Sequence, residues 1–538
     1  MQLDLKMLPF GRRLSRHMIY EETDNLGSGW IKGLYLALAA EGGGSMFGGQ
    51  SLDPKGFIRI TPTFNRQDLE YTYTASESFV ELKTAKGNLR FAMDGEKVLR
   101  IEGRGIGLRF DGKLSFGGNA YRTVRGIEIL QGGVYLIKAL KGTAELDCHW
   151  DLKALKLTDP IVYFEPGEDG IFEAAAYDLD PTYEFPEIAA DFEECIKASE
   201  KDFADFAAGL AQPVSGDKTF FDRCAYALWM SFFPFKGQEL GATNKISEQK
   251  VYSFEQSIMT LPFKDATRAL NILGSMLSFL TPLGLLPTWF GERQNLNEAS
   301  PPIYAYAVKR LIDNESLTNV SKDQLTLFYD AMTKAVGWWL SYRTNEDGLS
   351  FYAYRHECGY ACEPIFGCDT PAATPDLLAY LVLATEALTQ IAAMLGKDDA
   401  VYWSEQNAKQ LQHLTKTMRD KNRFNSVNVM TNASGPAEGI LSCIPLILGK
   451  RLPDDIIDAL CVEAKALPYE TAAVVPSALV ILGLWEAGKH EDAAEASNKL
   501  ITSCMQGGVC DKRGQVLNAG AYFSPAASAA LLTLASLQ

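Results

Sequence analysis

Leu377-Leu-Ala-Tyr-Leu-Val-Leu-Ala384 decides the architecture, because no face of this run is polar. The helical period extends it over Asp376–Leu395, and a helix apolar nearly all round belongs in an inner layer with other helices outside it. Outward from it, the same 3.6-residue period predicts helices over Phe220–Phe233, Lys264–Leu280, Ile303–Ile312, Lys322–Leu340 and Val401–Met418. It continues over Ala437–Leu448, Pro476–Ala487, Glu491–Met505 and Pro525–Leu537. Helices apolar on more than one face and joined by polar loops predict an (α/α)6 toroid over 217–538. An open α-solenoid would carry a fixed internal repeat, and none is found.

Before this half the period is two. Gly56-Phe-Ile-Arg-Ile-Thr61, Phe79–Lys83, Leu89–Met93, Val98–Glu102 and Ile106–Phe110 alternate apolar with polar residues. Lys86-Gly-Asn88, Asp94-Gly-Glu96, Asp111-Gly-Lys113 and Gln131-Gly-Gly133 punctuate them as hairpin turns. Many short strands with no helical pattern between them predict an antiparallel β-sandwich over 1–184. The stretch from Asp191 to Leu210 has helical spacing under a charged face and is read as a linker helix within 185–216.

The 538 residues carry a net charge of -16, an electrostatic balance that repels nucleic acid and anionic membrane surfaces. The N-terminal stretch lacks an apolar run of signal-peptide length, and no later window is expected to span a bilayer, so a soluble cytoplasmic protein is expected. Ten cysteines in a chain this long make no disulfide scaffold and are expected to be reduced. Whether the chain forms a homo-oligomer is left open.

Four loops are too aromatic, Gly-rich and charged to be spacers. In 284–302, Trp289 and Phe290 suit stacking on a sugar face, and Glu292, Arg293 and Asn295 suit its hydroxyls; the same aromatics would also serve as a plug. The leading candidate is 352–371, with Glu357, Glu363, Asp369, Arg355, His356 and Tyr360 among Cys358, Cys362 and Cys368. Cys-x3-Cys-x5-Cys lacks the paired knuckles of zinc sites, so no metal is expected there, and packed reduced thiols are the plainer reading. Glu255 in Val251-Tyr-Ser-Phe-Glu-Gln-Ser257 stands near a helix start, where the helix dipole alone would favour a carboxylate. Asp511, in the Gly507–Gly514 turn, is a further candidate acid or base.

These pieces, in their order, resemble glycoside hydrolase family 63, inverting α-glycosidases that share a toroid with family 37 trehalases. Phe220-Phe-Asp-Arg-Cys-Ala-Tyr-Ala-Leu-Trp229 resembles the family's first barrel helix. Gly284-Leu-Leu-Pro287 with Ser300-Pro-Pro302 resembles its Gly-x-Leu-Pro and Gln-Pro-Pro region. His356-Glu-Cys-Gly-Tyr-Ala-Cys-Glu-Pro-Ile-Phe366, followed by Thr374-Pro-Asp-Leu-Leu, resembles its Glu-Ser-Gly-x-Asp-Asn-Ser segment and helix. The resemblance implies a small carbohydrate as partner and no cofactor. It also exposes departures: the family's general acid stands at Ala361 here, and the turn carrying its general base holds only Asp511. Inversion needs an acid and a base about 6.5–9.5 Å apart, and alanine supplies neither.

Three outcomes fit. A relocated pair would use Glu363 first, or Glu357 or Asp369, as acid and Asp511, Glu470 or Glu438 as base, with Glu255, Trp289, Arg293, Arg355, His356 and Tyr360 lining the subsite. A second outcome is isomerisation or elimination on a sugar or small alcohol; a third is a binding protein without catalysis.

Overall fold

The computed structural model describes the chain except residues 23–31, 39–56, 115–117, 131–133, 180–184, 189–190, 242–249, 292–293, 360–366, 421–422, 438, 510–523 and 538. Strands fill the described chain up to Asp178 and form two large antiparallel sheets. In one, strand order is Phe10–Gly11, His17–Glu22, Gly33–Leu38, Phe57–Phe64, Gly107–Gly112, Ile161–Glu165, Thr143–Asp147. In the other it is Asn119–Arg122, Ile127–Leu130, Val134–Lys141, Ile171–Asp178, Val98–Arg104, Asn88–Asp94, Phe79–Lys83, Thr72–Ala75. Alternation sends Leu108 and Phe110 of the first sheet, and Leu89 and Phe91 of the second, into one shared apolar core. Phe164 stacks on Phe172 across it, with centroids 5.7 Å apart.

Two of the expected hairpins stand: Phe79–Lys83 pairs with Asn88–Asp94, and that strand with Val98–Arg104 around Gly95. The Asp111-Gly-Lys113 turn is not one. Gly107–Gly112 pairs with Phe57–Phe64 and Ile161–Glu165, and the next strand, Asn119–Arg122, belongs to the other sheet. Alternation reports a strand; it does not choose its neighbour. The Gln131-Gly-Gly133 turn lies outside the described residues.

Helix α1 (Phe192–Ala208) opens on a capping box between Asp191 and Glu194, an arrangement that stabilises a first turn by about 1 kcal/mol. It is no free spacer. Phe203 packs edge-on against Tyr226 and Trp229 of α2 (Lys218–Ser231), and Asp202 accepts from Trp229 Nε1 (3.0 Å) and Arg13 Nη2 (2.8 Å). Buried Tyr226 OH accepts from the Gly11 amide at 2.9 Å, so the strand half is pinned to the helical half through side chains of both.

The remaining helices are α3 (Ser253–Met259), α4 (Ala266–Leu277), α5 (Tyr304–Asp313), α6 (Lys322–Tyr342), α7 (Pro375–Leu395) and α8 (Ala400–Gln412). After them come α9 (Ile440–Cys443), α10 (Asp454–Lys465), α11 (Val474–Glu486), α12 (His490–Gly507) and α13 (Pro525–Ala535). They differ widely in burial. Every residue of α13 is buried, as are Val474–Leu484 of α11 and most of α7, whereas α8 buries only Trp403 and Gln410. Among the buried set, α3 packs on α5 and α13, α5 on α7, α7 on the Ile444–Arg451 turn that follows α9, that turn on α11, and α11 on α13. Gly483 makes the α11 contact: a Cβ there would stand 2.6 Å from the Leu446 backbone. The other helices pack against these, α2 on α13, α4 on α3 and α5, α6 and α8 on α7, α10 on α9 and α12 on α11.

Three expectations need correction. The helix foreseen over Ala437–Leu448 is α-helical only at Ile440–Cys443 and tightens to a 3-10 helix at Ile444–Arg451, where Pro445 offers no amide for an α-helical bond. Phe232 and Phe233 leave the helical path for a short hairpin, Phe232–Phe235 with Gln238–Gly241. By length and composition α7, with mean hydropathy 1.6 over an 18-residue window, does reach what a membrane span needs, but 72% of that window is buried inside the protein.

Candidate functional site

The loops that lead into α3, α5, α7 and α9 are laced to one another by short strand pairs and hydrogen bonds. Val251–Tyr252, just before α3, pairs with Trp289–Phe290 in the loop before α5. Ser253, first residue of α3, donates its Oγ to Pro287 O (2.6 Å) and its amide to Thr288 O (3.0 Å). Ala372–Ala373, before α7, pairs with Asn428 and Val427, before α9, and Asn428 Nδ2 donates to Asp369 O at 2.8 Å.

The period-two alternation of the Trp289–Phe290 strand divides its two aromatics. Phe290 is buried and lies flat on Phe279 at 4.2 Å, so it is the plug. Trp289 stays half exposed, with the Lys250 ammonium 4.4 Å above its ring. Asn295 holds the loop itself, donating to Thr288 Oγ1 and Glu298 Oε2 (3.1 and 2.9 Å). Glu255 lies half-buried in the first turn of α3.

In the loop before α7, Arg355–Cys358 forms one 3-10 turn closed by Gly359 at φ +82°, and a Cβ on Gly359 would lie 2.6 Å from the Phe254 ring. Only glycine lets this turn settle on α3. Glu357 within the turn is wholly buried. It accepts from the amides of Ala299 (2.8 Å), Ala353 (2.6 Å) and Tyr354 (3.1 Å), and from Arg343 Nη1 (3.0 Å). Burial pushes its carboxyl above the usual range, opposed by Arg343 and the backbone donors. A carboxylate with its lone pairs so committed ties the α5 and α7 loops together.

Its neighbours face the other way. Arg355 is 48% exposed, and Asp369, 94% exposed, lies 3.5 Å from it; His356 is exposed too. Cys358 is buried and donates to Arg355 O. Glu470, before α11, is exposed. Glu363, Asp511, Arg293 and Tyr360 lie outside the described residues, as do Glu292, Ala361, Cys362 and Glu438. Among the described residues no group of three or more His, Cys, Asp or Glu is placed to hold a metal ion.

Two functional-looking residues escaped the sequence reading. Arg343, one residue past α6, has no motif around it. Asp376 in the first turn of α7 reads as an ordinary helix-start acid, yet it is fully buried, and Tyr352 OH donates to its Oδ2 at 3.0 Å. Burial raises its pKa to about 6 against hydrogen bonding from Thr374 and Tyr352.

No protein-family model matches the chain, and no curated protein matches it in sequence. Solved structures do. A bacterial glucoamylase complexed with acarbose is similar at TM-score 0.60 and 9% identity, over 98% of this chain and 93% of its own. The family 92 glycosyl hydrolase ccman5 is similar at TM-score 0.50 and 12% identity, over 99% and 85%. The family 63 mannosylglycerate hydrolase from Thermus thermophilus gives TM-score 0.49 and 14% identity, over 59% and 99%. At such identities the likeness is one of fold. With its N-terminal antiparallel sheets and mostly helical C-terminal part, the chain has a glycoside hydrolase-like fold.

Proposed function

We propose that the chain is a glycosidase of the family 63 type that hydrolyses a small α-linked oligosaccharide or glycoside with inversion. In this reading the helical half closes into an (α/α)6 toroid, behind a β-sandwich domain over 1–184 and a connecting helix within 185–216. The order of contacts supports closure, running from α3 through α5, α7, Ile444–Arg451, α11 and α13 back to α3.

One observation carries the reading. The loops before α3, α5 and α7 are fastened to one another, and they bear Glu255, Trp289, Arg355 and His356 on segments in mutual contact. Indole, carboxylate, guanidinium and imidazole groups are the chemistry that grips a sugar, by stacking and by hydrogen bonds to its hydroxyls.

Glu363 is assigned as proton donor, with exposed Asp369 as the next choice, and Asp511 as the base that activates water. Glu357 anchors the loop. Arg293 and Tyr360 complete the subsite.

The test is a panel of aryl α-glycosides and disaccharides, with the released anomer followed by NMR. Glu363→Gln should lower release by about 10²–10⁴-fold, and Cys362→Ser should leave it intact. Loss of turnover in Cys362→Ser contradicts the assignment, and sugar binding without any product contradicts hydrolysis.

A further inference from the structure

A cavity of about 270 Å³ lies away from the laced loops. It opens between the segment after α3 (Thr260–Lys264), the C-terminal turn of α5 and the C-terminal turn of α13, and its volume is that of about nine water molecules. Its walls are mixed. Leu261, Phe263, Leu311 and Leu537 supply apolar surface, and Arg310 and Lys264 supply charge.

Arg310 is the informative residue. Its side chain is only 17% exposed, and its Nη1 donates to Glu486 Oε1 (2.9 Å) and Tyr306 OH (3.4 Å). Its Nε and Nη2 donate to no protein atom among the described residues, and Arg310 lines the cavity. A buried guanidinium normally has its N–H groups taken up. Lys264 on the same wall donates to the Ala208 carbonyl (3.2 Å) and has no acidic partner among the described residues. Its side chain is exposed at the cavity rim.

We propose that this cavity binds a small organic anion, a carboxylate or phosphate monoester with a short apolar body. The anionic group would take the free edge of Arg310 with Lys264 at the rim, since a planar guanidinium edge matches two oxygens of either group. The body would lie against Leu261, Leu311 and Leu537.

Titration calorimetry and thermal melting of the full chain test this without reference to hydrolysis. The probes are hexanoate for carboxylates, and inorganic phosphate with butyl phosphate for phosphates. Whichever arm binds more tightly identifies the group, and that probe should raise Tm. Arg310→Met should weaken binding at least about tenfold. Because that variant also strips Glu486 of its partner, Ser316→Trp at the half-buried rim serves as the second variant; it should block entry while the fold stays intact. Glu363→Gln should bind the probe unchanged. No binding by any of the three probes, or binding that survives Ser316→Trp, overturns the proposal.

Discussion

The two ends of the buried helices treat their polar residues in opposite ways. Toward the C-terminal turns, charges answer one another: Lys309 Nζ contacts Asp313 Oδ1 and Glu386 Oε1, both at 3.0 Å, and Arg451 Nη2 reaches Glu386 Oε1 and Asp313 Oδ2 at 3.1 and 3.2 Å. Arg310 with Glu486 ties α5 to α11 in the same zone. At the N-terminal turns the loops are fastened mainly by backbone bonds and by two sealed carboxylates, Glu357 and Asp376. Asp369, Arg355, His356 and Trp289 are left wholly or partly open. Half-buried ion pairs at one end hold the helices together, while the Arg355–Asp369 pair at the other lies open to solvent. The lesson is that carboxylates crowded in one stretch of sequence need not share a task.

Substitutions sharpen this contrast in descending order. Glu357→Ala strands the Arg343 charge in the interior and should cost about 3–5 kcal/mol in denaturant unfolding. If it left stability untouched while abolishing turnover, Glu357 would be chemistry and not scaffold. Asp376 gives a pH signature. Because its folded pKa, about 6, exceeds the ordinary 3.8, the folded state holds the proton more tightly. Its contribution is therefore complete below pH 4 and lost as pH rises through 6, by about 3 kcal/mol in all. Asp376→Asn should remove this loss, so the variant gains on the parent between pH 4 and 7; parallel stability curves would sink the assignment. Lys309→Met, at a side chain 2% exposed, should cost about 2–3 kcal/mol, less than Glu357→Ala because Arg451 still holds Glu386. Asp369→Asn breaks only a solvent-exposed pair and should leave the unfolding midpoint where it was. A clear drop there would erase the distinction between the ends.

Much of this was legible in the chain. The all-round apolarity of 377–384 foretold a buried helix, and α7 is one. Asp94-Gly-Glu96 foretold its hairpin because Asp-Gly accepts the turn's backbone angles wherever it falls. Asp111-Gly-Lys113 carried the same local signal, but pairing across sheets is decided by which apolar faces meet, and a dipeptide does not encode that. Helix α10 was missed although Ile456, Ile457, Leu460, Cys461 and Ala464 are buried along one face. Its Asp454-Asp455 start after Pro453 was the readable cue. In the site, residue types marked the loops, yet whether a carboxylate is sealed like Glu357 or open like Asp369 depends on Arg343 and Ala299, which come from other parts of the chain.

A crystal structure of the protein soaked with a disaccharide tests the central claim most directly. The account predicts a sugar ring on Trp289, within hydrogen-bond reach of Glu255 and of the loop that carries Arg355 and His356. A sugar seated on the outer helices or the strand half, with the Trp289 face bare, would contradict it.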